Sequence, residues 1–337
     1  MKEYIQTAVV FAVMLMIIPC VVFLGDTHSS AAPAADETSS LSAVQSGKVK
    51  ILFTKEKQVR EYDTEEYVLG AVLAQMPADF EPAALQAQAV LARTYAAYRT
   101  KAESLSPTPQ LDGAVMSDDT TLYQGFFTEA QAKDFYGSSY STARSKVLQA
   151  VKATQGRILT YGGQPIIIAF HALSDGYTRS AKDAWGQDIP YLQSAESKWD
   201  AKLDFFKSKA VFTQAQFKEK LSALDSTLTF SGSPEDWLKV TKTGEHGCVS
   251  EVTVSGKALS GSDFCRALDL NSPDFSFEVK DGSFTFTVCG VGHLVGMSQY
   301  GANAMAKEGK SCEEILSHYF SGCKLLDNSQ QADDHST

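Results

Sequence analysis

The sequence has little positive charge and no cluster of it. Its 337 residues include 30 Lys and Arg against 40 Asp and Glu, which gives a formal net charge of −10. Nucleic-acid binding usually relies on a basic surface that neutralises phosphates, so we expect no nucleic-acid partner. The apolar fraction of 44% is ordinary for a globular protein with a hydrophobic core.

The sequence also lacks the short motifs of several common sites. It contains no G-x-S-x-G, the turn that presents the nucleophile of many serine hydrolases, although Ser, His and Asp occur close together at 171–175. It contains no C-x-x-C or H-x-x-x-H pair, so the segment 245–248 (EHGC) is interpreted as a surface loop. We expect no cofactor and no metal; a mixed His/Cys zinc site that includes His171 is the alternative.

Cysteines are few. Cys20 lies in an apolar segment, and the other five are Cys248, Cys265, Cys289, Cys312 and Cys323. Five is odd, so at least one thiol is free or paired between chains, even where disulfides can form. Cys312 and Cys323 flank the last predicted helix, and whether they pair stays open.

One apolar run free of charged residues covers 7–24. As a helix it would be about 27 Å long, which is short for a membrane span and long for a signal peptide. We predict a single membrane anchor over 1–26; a cleaved signal peptide is the alternative, because Ala residues at 31–32 and 34–35 could precede a cleavage site. Residues 27–47 are rich in Ser, Ala, Thr and Pro and are predicted to be a linker.

The stretch 65–100 is the most informative part of the remaining sequence. Pro77 and Pro82 interrupt an alanine-rich apolar pattern, which predicts two helices separated by a break. The second helix is apolar nearly all round, as expected of a buried helix. The few polar side chains in this helix and just before it need hydrogen-bond partners or a function. They are Gln75, Gln86, Gln88 and Arg93.

The rest of the pattern predicts an α+β fold, with the main domain at 48–325, a second α+β subregion at about 200–290 and a disordered tail at 326–337. Strands are predicted at 49–53, 58–62, 121–127 and 249–254. Hairpins are predicted around 162–163, with the second strand running on to residues 170–171, and at 281–282. Helices are predicted at 141–154, 213–224 and 298–307, and a capping box at Ser311 and Glu314 predicts a last helix. A loop is predicted at 101–113.

Three blocks of this sequence resemble the stage II sporulation protein D family. The first block includes Glu66-Tyr67-Val68, Gly70, Met76-Pro77, Phe80, and the segments 84–85, 87–89 and 92–94. The second covers 170–178 and continues through Trp185 to 190–192, and the third covers 292–302. The blocks follow in order over residues 66 to 302, which makes the resemblance specific.

The resemblance implies a lytic transglycosylase that cuts denuded glycan strands of peptidoglycan, with the Glu of an E-M-P motif as general acid/base. Here that position is Gln75, and an amide cannot supply the proton that the leaving oxygen needs. Gln86 and Gln193 also replace Lys of the family pattern. Arg93 is the second residue that the resemblance assigns to catalysis. Glu66 and Glu81 are the nearby carboxylates that could substitute for the missing acid, although neither shares the Gln75 face convincingly.

The resemblance also implies a glycan-binding groove. Its predicted residues are Gln86, Tyr123, His171, Ser174, Asp175, Trp185, Tyr191, Gln193, His293, Ser298, Gln299 and Tyr300. Ser174 and Asp175 could equally be turn formers, and His171 a strand-end residue. Leu294 stands where the family has Gly, which predicts a reshaped loop if that position needs a positive φ.

Three hypotheses about function follow. The chain could be a lytic transglycosylase that uses a displaced carboxylate, a catalytically silent glycan binder, or a scaffold or activator of a partner cell-wall amidase. The family implies a single-pass protein of the septal and engulfing membrane, with its domain outside the cytoplasm and other membrane proteins of the engulfment complex as partners. The three Gln residues favour the second and third hypotheses.

Overall fold

The computed structural model describes residues 47–327. The predicted anchor at 1–26 and, apart from residue 47, the predicted linker lie outside the described residues. Within 47–327, no helix is long and apolar enough to span a bilayer. The predicted tail begins too early, because Leu326 belongs to the last strand; residues 328–337 lie outside the described part.

Strands and helices alternate irregularly along the chain, as expected of an α+β fold. The first half contains β1 Lys48–Phe53, β2 Gln58–Asp63, α1 Thr64–Gln75, α2 Pro82–Leu105, β3 Met116–Ser117, α3 Glu129–Tyr136, α4 Tyr140–Ala153, β4 Arg157–Tyr161, β5 Gln164–Pro165 and β6 Phe170–His171. The second half contains α5 Ala181–Trp185, β7 Lys207–Thr213, α6 Gln214–Leu224, β8 Leu238–Thr243, β9 Val249–Val254, β10 Lys257–Ser260, α7 Gly261–Leu268, β11 Asp274–Lys280, β12 Ser283–Cys289, β13 Met297–Ser298, α8 Gln299–Lys307, α9 Cys312–Tyr319 and β14 Lys324–Asp327.

The chain forms two compact units, and the described part of the first comprises 47–168, 305–317 and 322–327. The first unit contains the sheets β2-β1-β3 and β14-β4-β5 and the helix pair α1 and α2. Asp63 caps α1 by accepting a hydrogen bond from the Glu65 N–H. Pro82 occupies the first turn of α2, where its missing N–H costs nothing. Both predicted helices are confirmed, and their many buried alanines allow close packing.

Two predictions in this unit are wrong. α2 continues to Leu105 rather than ending before a loop at 101, because no helix-breaking residue occurs before Pro107. Residues 121–127 form no strand, although their β-branched and aromatic composition suits one. Their backbone is engaged elsewhere: the Thr121 N–H donates to the Asp119 carboxylate, and the Phe127 N–H donates to the Gly70 carbonyl.

Gly70 shows why that segment can lie on α1. A Cβ added at Gly70 would come 2.3 Å from the Phe127 carbonyl oxygen. Only glycine lets the two backbones approach this closely.

The second unit comprises 169–304 and 318–321. Its core lies between the sheets β11-β12-β7 and β10-β9-β8 and the helices α6 and α7, and it is rich in aromatic rings. Phe217 and Phe284 stack with their centroids 3.9 Å apart. The hairpin predicted at 281–282 is confirmed: Asp281 and Gly282 have φ of 50° and 73°, which suits a tight turn between twisted strands.

The strand predicted to run on from residue 164 to His171 is wrong. β5 ends at Pro165, and Phe170 and His171 belong to β6. β6 pairs in parallel with Met297 and Ser298 of β13, and the Met297 N–H donates to the Ala169 carbonyl. Pairing within the second unit therefore places the second and third sequence blocks side by side.

Candidate functional site

Gln75 lies in a buried hydrogen-bonded network in the first unit. Its side chain is 6% exposed, and its Oε1 accepts a hydrogen bond of 2.7 Å from Gln124 Nε2. The Tyr67 hydroxyl donates to Gln124 Oε1 at 3.0 Å, and the Gln124 N–H donates to the Tyr95 hydroxyl at 3.3 Å. Burial raises the pKa of Tyr67 and raises that of Tyr95 to about 12. None of these four side chains can exchange a proton near neutral pH.

Arg93 has partners of its own at the other end of α1. Its Nε and Nη2 donate to the two carboxylate oxygens of Glu65 at 2.7 and 2.6 Å, and its Nη1 donates to the Arg157 carbonyl at 3.0 Å. Glu65 precedes Gln75 by ten residues, or about 15 Å along the helix. The structure gives Arg93 structural partners, and its assignment to catalysis stays a prediction.

Glu66 points away from Gln75. Their separation of nine positions corresponds to two and a half turns, so the two side chains lie on opposite sides of α1. Glu66 lines a cavity of about 60 Å³ whose wall includes Tyr62, Gly70 and Phe126. It therefore does not substitute for an acid at position 75.

His171 and His293 form a ring cluster with Trp185 in the second unit. The His293 ring centroid lies 6.1 Å from that of His171 and 5.7 Å from that of Trp185. His171 Nδ1 is 3.2 Å from the Val295 carbonyl and must carry the proton, since a carbonyl only accepts. His293 Nδ1 instead accepts from the Val295 N–H.

Both histidines are neutral at physiological pH. Burial, with a smaller contribution from His293, lowers the pKa of His171 to about 3, and burial and the charge of Arg179 lower the pKa of His293 to about 4. Within the described residues, His171 Nε2 and Trp185 Nε1 have no hydrogen-bond partner. One acceptor and one donor are therefore left for a water or a ligand group.

Ser174 is bound to a buried carboxylate that sequence reasoning missed. Its N–H and its hydroxyl both donate to Asp200 Oδ2 at 2.9 Å. The bonds of Ser174 therefore differ from those of a serine-hydrolase triad, whose serine hydroxyl bonds to histidine. The Ser298 hydroxyl accepts from the Gly301 N–H and so caps α8, and its predicted contact with glycan stays a prediction.

Comparison with known proteins gives the family. A family model described as stage II sporulation protein matches residues 53–161, all in the first unit. The chain is 35% identical to stage II sporulation protein D of Bacillus subtilis (strain 168), with 96% of each chain covered. The chain belongs to the stage II sporulation protein D family. It is also 38% identical to stage II sporulation protein D of Bacillus amyloliquefaciens, over 82% of this chain and 78% of that relative.

A further relative in this comparison carries a different name. The protein named amidase enhancer in Bacillus subtilis (strain 168) is 26% identical over 76% of this chain and 40% of its own length.

Leu294 keeps a left-handed backbone at the position where the family pattern has Gly. Its φ is 65°, its side chain is fully buried, and its carbonyl accepts from the Arg179 N–H at 2.6 Å. Leucine thus occupies a left-handed position here, and the reshaped loop stays a prediction. Burial of the Leu side chain offsets the roughly 1–2 kcal/mol that a left-handed non-glycine residue costs.

This strain predicts an unusual order of stability. Both Leu294→Ala and Leu294→Gly lose the buried side chain, but only Ala keeps the left-handed strain. We therefore expect Leu294→Gly to be less destabilising than Leu294→Ala, by up to about 1 kcal/mol. Urea denaturation of both variants measures the difference. The same pair at Leu268, in helix α7, is the control, where Gly should be the worse residue; the same order at both positions would contradict the prediction.

The side chain of Asp175 lies beside that of Asp274. The Asp175 carboxyl is close enough to that of Asp274 to oppose its ionisation. Asp274 begins β11 and pairs with Cys289 of β12, which in turn pairs with Lys207 of β7. Burial and Asp175 raise the pKa of Asp274 to about 7, against the opposing effects of Cys289 and Lys207.

The Asp274 shift predicts a pH-dependent stability. The folded state keeps a proton on Asp274 that the unfolded chain loses near pH 4. The stabilisation that comes from this proton is therefore fully present below about pH 4 and is lost as the pH rises through about 7. We expect the free energy of unfolding of Asp274→Asn to fall less steeply than that of the wild type between pH 4.5 and 7.5. The difference in slope should be well under ~1.4 kcal/mol per pH unit, the value for a fully buried proton. Urea midpoints across this range measure it, with exposed Asp134→Asn as control. Equal slopes for wild type and Asp274→Asn would exclude the effect.

The other predicted glycan-binding residues lie in both units. In the first, Gln86 is half-buried on α2, and Tyr123 is half-buried with the Arg99 guanidinium 5.1 Å from its ring. In the second, Tyr191 is half-buried and Gln193 is exposed, Gln299 is buried, and the half-buried Tyr300 has its ring 5.2 Å from that of Phe205. The structure thus brings His171, Trp185 and His293 together, whereas Arg93 lies away from Gln75.

The cysteines at 248, 265, 289, 312 and 323 are all free thiols. Across 47–327, no group of three His, Cys, Asp or Glu residues could hold a metal ion. The His246 and Cys248 segment does form a surface loop, but the side chain of Cys248 is buried.

Proposed function

We propose that this protein binds the glycan strands of peptidoglycan, once freed of their peptides, during the wall remodelling of sporulation, and that it does not cut them. Membership of the stage II sporulation protein D family supports the sporulation role. The observation that carries the proposal is the amide network at position 75. Where the family resemblance implies a carboxylic acid, Gln75 accepts from Gln124 and offers no proton for a leaving oxygen.

The proposal includes attachment to the membrane. The apolar run at 7–24 would anchor the chain, and the described domain would then face peptidoglycan outside the cytoplasm. Other membrane proteins of the engulfment complex would be its neighbours. A net charge of −10 suits neither nucleic acid nor an anionic lipid surface as a main ligand.

A second candidate function is activation of a partner cell-wall amidase. The relative named amidase enhancer supports it, since 76% of this chain aligns with that protein. Activation of a partner would need no proton transfer by position 75.

Co-sedimentation of the full chain, held in detergent, with amidase-stripped glycan strands tests the proposal. We expect binding, and mass spectrometry of the strands afterwards should show no new anhydro-muramyl ends. New ends with the wild-type chain would show that it cuts. Absence of binding, together with faster hydrolysis of intact peptidoglycan by an added cell-wall amidase, would favour the second candidate.

A further inference from the structure

An exposed pair of stacked rings lies on the second unit, outside the predicted groove residues. The rings of Tyr177 and His246 stack with their centroids 4.3 Å apart and 5° between their planes. Tyr177 is 43% exposed, and His246 is exposed as well. Two flat aromatic groups therefore meet solvent together.

The hydrogen bonds of Ser194 require a proton on His246 Nε2. The Ser194 hydroxyl has one proton and donates it to the Thr178 carbonyl at 2.6 Å. Its contact of 2.9 Å with His246 Nε2 must then be one in which Nε2–H donates to Ser194. In the neutral ring, His246 Nδ1 is left as an acceptor. Ser194 follows Gln193, a predicted glycan-binding residue.

The loop that carries His246 is fixed to helix α5 by several contacts. The Glu245 N–H donates to Asp183 Oδ1 at 3.1 Å, and the Glu245 carboxylate accepts from both the N–H and the hydroxyl of Ser180. Asp183 is itself paired with Arg179 at 2.6 Å. At Gly244, a Cβ would come 1.7 Å from Asp183 Oδ1, so the loop approaches the helix as closely as glycine allows.

His246 also has a strained backbone. Its φ is 55° and its ψ is 24°, in the left-handed region that glycine would occupy without cost. Strained residues of this kind are found at ligand sites, where the surrounding structure holds them in place. The same turn built with glycine would lack the ring and its stack on Tyr177.

We infer that Tyr177 and His246 form a stacking platform for a pyranose ring of a glycan strand. The inference rests on the proposed function and names a subsite for it. A pyranose has an apolar face and a polar edge: the apolar face would lie on the outer face of the stacked pair, while the Tyr177 hydroxyl and His246 Nδ1 would bond its hydroxyl and acetamido groups. The platform is pre-formed, so binding orders few side chains.

Isothermal titration of the full chain in detergent tests the platform, with chitotetraose and amidase-stripped glycan strands as probes. We expect Tyr177→Ala and His246→Gly each to weaken binding about 10-fold or more, because one ring of the stack offers the contact face and the other holds it in place. Tyr177→Phe should keep most of the affinity. The control is Tyr161→Ala, which removes a tyrosine of similar exposure, 41%, from the first unit.

The two variants separate a binding role from a structural one. His246→Gly relieves the backbone strain, so we expect its unfolding midpoint to stay near the wild-type value while its affinity falls. If wild type binds the probes and His246→Gly binds them equally well, the platform is excluded and the proposed function stands. If wild type binds neither probe, the proposed function and the platform both fail.

Discussion

Gln75→Glu is expected to give a protein that releases anhydro-muramyl ends from amidase-stripped glycan strands, whereas the wild-type chain releases none. Glu has nearly the shape of Gln, and Gln124 Nε2 can still donate to it. Burial would raise the pKa of the new carboxyl, which keeps it protonated and able to act as a general acid. Supplying such an acid is worth about 10²–10⁴-fold in rate.

Mass spectrometry of the products measures this gain, and Gln75→Asn is the matched control, because it changes side-chain length without adding a proton. Cutting by wild type at the rate of Gln75→Glu would place the acid elsewhere. Asp274, whose pKa lies near neutral, would then be the first carboxyl to replace. No cutting by either protein would mean that Gln86 and Gln193 also remove function.

Arg93→Met should destabilise the first unit by about 3–5 kcal/mol, the usual cost of breaking a buried ion pair by removing one partner. Arg93 is 3% exposed and makes two hydrogen bonds to Glu65. Its loss also leaves the Arg157 carbonyl without this donor. The pair holds the start of α1 against α2 and the end of α4, so the helix pair should loosen as a whole.

Urea denaturation monitored by circular dichroism measures the loss. Lys133→Met, which removes one partner of the exposed pair with Glu129, is the control and should leave the midpoint unchanged. Glu65→Gln should reproduce much of the effect, since it leaves Arg93 charged and buried. A stable Arg93→Met protein that had lost only glycan binding or cutting would support the catalytic role predicted for Arg93.

Local sequence rules predicted most helices and hairpins because their signals lie within a few residues. Pro82 starts α2, and Ser311 and Glu314 form the predicted capping box. The segment 121–127 was mispredicted because its fate depends on a distant partner. Gly70, more than fifty residues earlier, gives the backbone of this segment a surface to bond to.

The candidate site shows the same difference between local and distant signals. The sequence blocks predicted Gln75 and the two histidines as site residues, but they did not predict the residues that contact them. Gln124 is 49 positions from Gln75, and nothing in its neighbourhood marks it as the donor to that amide. Asp200 and Asp274 were missed for the same reason: only folding places them beside Ser174 and Asp175.

The pairing of β14 with β4 affects how the chain can be made. Asp327 pairs with Arg157, 170 positions earlier, so the first unit cannot close its sheet until almost the whole chain has left the ribosome. At usual rates of synthesis the interval is roughly 9–34 s. During that time the edge of β4 that β14 will cover is open, and an unpaired strand edge of this kind can pair with another chain. Such a delay is compatible with the proposed export, in which the polypeptide would cross the membrane unfolded and fold only on the far side.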